Sequence, residues 1–121
     1  MRKLIRSFRF AVAGFTDFVR SQRNTRLHLL AAVIVVTVGI VLKIDRLDWA
    51  CLIFAITSVF VAEAFNTTLE LLADRITSEQ DILIGRAKDV AAAAVLIASI
   101  GAAAIGIIVL GPHLFAALRH N

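Results

Sequence analysis

The run WACLIFAITSVFVAEAFNTTLELLAD, Trp49 to Asp74, decides how the chain folds. Its first fourteen residues carry no charge, and then Glu63, Asn66, Glu70 and Asp74 arrive at three- and four-residue intervals. At about 100° per residue these four side chains fall within roughly 80° of one another, so a helix carries them as one polar stripe. The run is also long enough to cross about 30 Å of hydrocarbon. An ionisable side chain at that depth costs on the order of 2.5–3.5 kcal/mol even on lenient scales. The stripe therefore needs partners such as a metal, a basic ligand, or water in a cavity closed to lipid. Asp74 and Glu70, near the end of the run, have a simpler option in headgroup solvation or pairing with Arg75 and Arg86. Glu63 lies about three turns further in and lacks that option.

The surrounding sequence is equally apolar. Of 121 residues, 60% are hydrophobic and the mean hydropathy is +0.86, against about 45–50% apolar content in soluble domains. A single membrane-embedded domain is expected. Residues 27–44 read as a first span and 49–73 as a second, with Trp49 placed where an interfacial aromatic belongs. The polar turn Lys43 to Asp48 is too short for anything but an antiparallel hairpin. Residues 75–88 read as a polar loop containing Gly85, and 89–111 as a third span closed by Gly111 and Pro112. In residues 1–26, Leu4, Ile5, Phe8, Val12, Phe15 and Val19 recur at helical spacing with arginines mainly on the remaining arc. This is the pattern of an amphipathic helix lying in the membrane surface. The fold class is thus all-α, with one surface helix and three transmembrane helices.

Charge sets the orientation. Ten of the thirteen Lys and Arg residues lie before the first span or in the loop 75–88, while Lys43, Arg46 and Arg119 lie on the other side. The N-terminus and that loop are expected in the cytoplasm. The net charge of +4 and pI near 10.2 arise from this asymmetry and point to anionic headgroups, not nucleic acid. No signal peptide is read in the first residues, where Arg2, Lys3, Arg6 and Arg9 interrupt every apolar stretch. Cys51, the single cysteine, reads as a small hydrophobe without a disulfide partner. Asn66-Thr67-Thr68 matches a glycosylation sequon by accident of its place in a helix.

A second constellation is Gly85-Arg86-Ala87-Lys88-Asp89, at the start of the third span and on the same membrane face as the stripe. Lys88 alone is an ordinary interfacial lysine. Beside carboxylates it is suited to hold a polyphosphate whose charge is offset through a divalent cation. Ala98, Ala102 and Gly106 form a ridge of small residues that fits close helix packing, either within one chain or between copies. His113 and His120 read as interfacial.

Together, Glu63-Ala64-Phe65-Asn66-Thr67-Thr68-Leu69-Glu70, Asp74-Arg75-Ile76, Ser78-Glu79 and Gly85-Arg86-Ala87-Lys88-Asp89 resemble the signature of the small bacterial diacylglycerol kinase and undecaprenol kinase family. The resemblance covers nearly the whole chain. It implies a homotrimer in the bacterial inner membrane, with active sites shared between subunits, that phosphorylates a lipid alcohol with MgATP. By the same resemblance Glu63 is the general base and Asn66 its support, and Glu70 is a magnesium ligand. Glu79, Asp81, Lys88 and Asp89 lie at the ATP, Lys3 and Phe10 of the surface helix approach it, and Asp74 and Arg86 stand in supporting places. Gln22 occupies the position where many members carry a glutamate that also binds the metal. A glutamine is a neutral oxygen donor and offers less charge to a hard cation. His28, in Asn24-Thr25-Arg26-Leu27-His28, resembles the undecaprenol kinase branch more than the diacylglycerol branch.

Two rival readings belong to other classes. A transporter or proton channel also places glutamates in a span, but its polar residues should run from face to face, and these all lie toward one end. A catalytically impaired relative serving as an assembly scaffold, with Gln22 as its lesion, is the alternative. A Walker-type nucleotide site is excluded, because no G-x-x-x-x-G-K-[ST] loop is present.

Overall fold

The computed structural model describes residues 1–76 and 81–119. Four helices follow one another: α1 (Arg2–Ser21), α2 (Arg23–Leu42), α3 (Arg46–Ile76) and α4 (Ile82–Arg119). The last three are each long and apolar enough to cross a membrane. With 31 and 38 residues, α3 and α4 rise about 46 and 57 Å. Both exceed the roughly 30 Å hydrocarbon layer, so their ends project into headgroups or water.

The break after the first helix comes earlier than residue 26. Gln22 adopts extended backbone (φ −106°, ψ 121°) and separates α1 from α2. Arg26 Nη1–H donates back across this corner to the Arg20 carbonyl at 3.3 Å, covering one of the orphan acceptors that every helix end leaves. Thr25 is wholly buried here.

Local hydrogen bonding explains the turn between α2 and α3. Lys43 is left-handed (φ 53°, ψ 46°); its N–H donates to the Ile40 carbonyl (3.2 Å) while Ile44 N–H donates to Gly39 (3.3 Å). This is a Schellman closure with lysine where glycine is usual, at a cost of about 1 kcal/mol. Asp45 Oδ1 then accepts from the N–H groups of Leu47 (2.8 Å) and Asp48 (2.9 Å), which caps α3.

The core gathers at this end of the bundle. Ile44, Leu52, Val109 and Leu110 are buried together, with Trp49, Cys51 and Ile105 packed against them. The Trp49 indole lies across Gly39, where an added Cβ would stand 3.0 Å from Cη2 of the ring and 3.1 Å from Ile44 Cδ1. The aromatic expected at an interface therefore also closes the hairpin.

Two more expectations about helix ends are revised. The helix of the third span does not stop at Gly111 and Pro112, because α4 continues through Pro112 to Arg119. Proline removes one helical bond, the one its own N–H would make to the Ile108 carbonyl. The next residue compensates, as His113 Nε2–H donates to Asp48 Oδ2 at 2.8 Å and ties the extension to the start of α3. The polar loop expected over 75–88 is also narrower. Asp81 Oδ1 accepts from Leu83 (2.8 Å) and Ile84 (3.0 Å) N–H groups, so α4 is capped at Asp81 and Gly85 closes its first turn.

The Gly39 contact yields a test. Gly39→Leu must displace the indole and should lower stability in detergent micelles by roughly 1–3 kcal/mol. Gly101→Ala, where an added Cβ meets nothing within 4 Å, should leave the thermal midpoint unchanged or slightly raised. Equal behaviour of the two variants would remove the Gly39–Trp49 contact as a stabilising element.

Candidate active site

Burial falls steadily along the polar stripe of α3. Glu63 is 2% exposed and Asn66 8%, Glu70 is half-buried and Asp74 exposed. Asn66 Nδ2–H donates to Glu70 Oε1 at 3.1 Å. An ionised carboxylate can only accept, so this contact turns the Asn66 carbonyl oxygen away from Glu70. That oxygen is buried with no partner among the described residues.

Thr67, one residue on, is 6% exposed and its hydroxyl also lacks a partner among the described residues. Leaving a buried polar group unpaired costs about 1–3 kcal/mol. Sequence reading passed over Thr67. Its position one turn after Glu63, on the same side of the helix, was the available signal. The half-buried His28 of α2 lines the groove among α2, α3 and α4.

The first turns of α4 stand beside the outer end of the stripe. Lys88 Nζ and Asp74 Oδ1 are 3.0 Å apart, with Asp74 70% and Lys88 38% exposed. Lysine thus reaches across to α3, while Asp89 and Arg86 are exposed. The Asp81 carboxylate is engaged as the cap of α4. Glu79 lies outside the described residues. On α1, Lys3 and Phe10 are exposed, and the Arg6 guanidinium lies 5.6 Å from the Phe10 ring centroid. Gln22 is half-buried at the α1–α2 corner.

Among the described residues no three His, Cys, Asp or Glu side chains converge on a metal position. The donor set nevertheless suits magnesium, which is bound through one or two carboxylates together with substrate phosphates and keeps several waters. Glu70 and the unpaired Asn66 oxygen are hard oxygen donors of this kind.

Two grooves flank the site. One of about 480 Å³ runs between α2, α3 and α4 and includes His28, Ser99, Ala102 and Gly106. The other, of about 530 Å³, lies between α1 and α3 and includes Phe15, Phe18, Ala64 and Thr67.

Comparison with known proteins covers most of the chain. The family model for prokaryotic diacylglycerol kinase matches residues 9–110. An undecaprenol kinase of Bacillus subtilis (strain 168) is 30% identical over 114 residues, 94% of this chain and 93% of the relative. A diacylglycerol kinase of Synechocystis is 36% identical over 112 residues, 92% of this chain but only 64% of the relative, so the chain spans less than two thirds of that protein. A diacylglycerol kinase of Escherichia coli (strain K12) is 38% identical over 84 residues, 69% of each.

Burial of Glu63 predicts a trade-off between stability and site chemistry. Glu63→Leu replaces a buried carboxylate with an apolar side chain and should raise thermal stability in micelles by about 0.5–2 kcal/mol. Asp74→Asn, which breaks an exposed pair, should change it by less than about 1 kcal/mol. A fall in the midpoint of Glu63→Leu would show the carboxylate to be a structural element.

Proposed function

The chain belongs to the prokaryotic diacylglycerol kinase family, and on that footing we propose that it moves the terminal phosphoryl group of ATP to the hydroxyl of a membrane lipid alcohol, with Glu63 as general base. That it is a lipid kinase follows from the family; the residue roles are the proposal. The observation that carries it is the burial of Glu63 near the middle of α3, where a carboxylate has no structural reason to be.

Phosphoryl transfer asks little covalent work of a protein. It needs positioned reactants, charge neutralisation on the phosphate oxygens and a base near the acceptor hydroxyl. Glu63 takes the proton of the lipid hydroxyl as its oxygen attacks the terminal phosphorus of ATP, and ADP leaves with the electron pair of the broken P–O bond. Asn66 fixes Glu70 through the bond from its Nδ2 and offers its free carbonyl oxygen toward the site. Glu70, with Gln22 as a weaker neutral donor, would hold magnesium, which when bound supplies charge neutralisation to the phosphates. Lys88 leaves Asp74 to engage a phosphate, an exchange made inexpensive by the exposure of that pair. Asp89, Arg86 and Glu79 complete the nucleotide side. Asp81 acts there through its backbone and its cap of α4. Lys3 and Phe10 approach the nucleotide from α1.

The wider reading follows from the same features. In it α1 lies in the headgroup layer of the bacterial inner membrane with the N-terminus cytoplasmic, as the basic asymmetry supports. Three copies assemble so that neighbours cover exposed apolar faces such as Phe54, Val61 and Phe65 and share the site. Relatives of both names match, so the acceptor is a lipid alcohol of either kind. The Asn24 to His28 pattern and the match along nearly the full undecaprenol kinase favour undecaprenol.

Labelled phosphate from MgATP should pass to diacylglycerol or undecaprenol in micelles, and Glu63→Gln should reduce the rate at least about 100-fold. Gln22→Glu should lower the magnesium concentration needed for half the maximal rate. Failure of the wild type to phosphorylate either lipid at any magnesium concentration would sink the assignment.

A further inference from the structure

A buried general base must be emptied as well as filled. Each turnover that gives Glu63 the proton of the lipid hydroxyl leaves its carboxyl protonated, and that proton has to reach water before the next turnover. Glu63 is 2% exposed, so little of it meets solvent directly. Its neighbours along the stripe are poor acceptors. Asn66 and Thr67 carry no basic group, and Glu70 is the proposed magnesium ligand. The onward acceptor has to come from another helix.

The register of the hairpin shows which residue of α2 stands there. α2 and α3 run antiparallel away from the contact between Gly39 and Trp49. Eleven residues back along α2 and eleven on along α3 stand His28 and Phe60. Both line the groove of about 480 Å³ among α2, α3 and α4, so the pairing is kept over that length. His28 lies seven and eleven residues from Val35 and Gly39, which puts all three on one side of α2. On α3 the same groove is lined by Leu52, Ala55 and Val59. Glu63 continues that row one turn past Val59, about 4.5 Å along the axis from Phe60. Packed helix axes lie about 8–10 Å apart, so an imidazole and a carboxylate on facing sides at adjoining levels come within reach of each other.

His28 is the one titratable side chain among the described residues that line this groove. It is half-buried and about 7.5 Å along the axis from Arg23, where α2 begins, so it stands between the groove and the basic end of the bundle. Glu63 and Glu70 are the charged groups of α3 on this side. Lys88 and Asp89 of α4 lie about 15 Å or more along the axis from Ser99, the first α4 residue of the groove, and Asp17 of α1 lines the other groove. Imidazole can accept a proton at one nitrogen while it donates from the other, and it takes up and gives back a proton near neutral pH. We propose that His28 is the onward proton acceptor for Glu63. The carboxyl O–H gives its proton to the free ring nitrogen, and the imidazolium releases a proton from its other nitrogen to water, which restores the carboxylate and a neutral imidazole. This rests on the reading of the chain as a lipid kinase with Glu63 as its base. His28 acts through Glu63 and touches neither lipid nor nucleotide.

The test separates a proton path from packing. His28→Gln keeps a polar side chain of similar size and removes the base. It should lower kcat at least about tenfold while the KM values for lipid and ATP and the thermal midpoint stay unmoved, and imidazole added to the buffer should restore part of the rate. An unchanged kcat, a loss that imidazole does not restore, or an effect confined to either KM would overturn the proposal. A second measurement needs no turnover. In micelles, with nitrogen-15 in the histidines, the His28 ring signal should shift in Glu63→Gln, while that of His113, tied to Asp48 at the other end of the bundle, stays in place. An unmoved His28 signal would also overturn it, and that result stands even if His28→Gln fails to fold. If the wild type passes no phosphate to either lipid, the kinase reading fails and the relay with it. Transfer by the wild type beside an undiminished rate in His28→Gln sinks the relay alone.

Discussion

A carboxylate carried at bilayer depth is the constraint on which the rest of the molecule depends. Lipid offers Glu63 neither hydrogen bonds nor counter-charge, so α3 has to turn its polar stripe toward protein. The consequence is visible as a gradient, from the buried Glu63 through the half-buried Glu70 to the exposed Asp74. It also explains the length of α3, since 31 residues let one helix carry its apolar half through the hydrocarbon and its charged end past it.

The two ends of the bundle meet opposite demands. Around the turn between α2 and α3, every feature fixes geometry: the Schellman closure at Lys43, the Asp45 cap, the indole on Gly39 and the His113–Asp48 bond. The other end is under-bonded. Thr25, Asn66 and Thr67 all keep buried oxygen atoms without partners among the described residues. Packing of the first end sets the register of α3, and therefore the depth at which those unpaired atoms are held.

Much of this was legible in the sequence because it depends on period and composition. Three apolar runs and a stripe at three- and four-residue spacing survive any detail of packing. What resisted reading was set by contacts distant in the chain. Nothing near Pro112 says that His113 will find Asp48 sixty-five residues away and keep α4 going. Nothing in Gly85-Arg86-Ala87-Lys88-Asp89 says that Lys88 will cross to Asp74 and leave its neighbour Asp89 free of that pair. The extended residue Gln22 ends α1 before the basic cluster is complete, and composition alone gave no sign of that corner. Thr67 is the clearest case. As a letter it resembles Thr57 and Thr68, and only the bond that its rotamer forgoes distinguishes it.

That forgone bond bears on how such a site can exist. A helix interior can neutralise a threonine at almost no cost by the bond to the carbonyl four residues back, and Thr68 next door does so at 2.8 Å. Two adjacent residues, Asn66 and Thr67, instead hold unpaired oxygens within a turn of a buried carboxylate. Each raises the free energy of the chain, and an apolar core would carry no such burden. A stable fold tolerates that only when the rest is secure, and here the tightly fixed turn and core at the opposite end supply the security. The site is therefore best understood as unsatisfied chemistry held in place by satisfied structure. Its polar atoms are the part of the fold that no contact among the described residues satisfies.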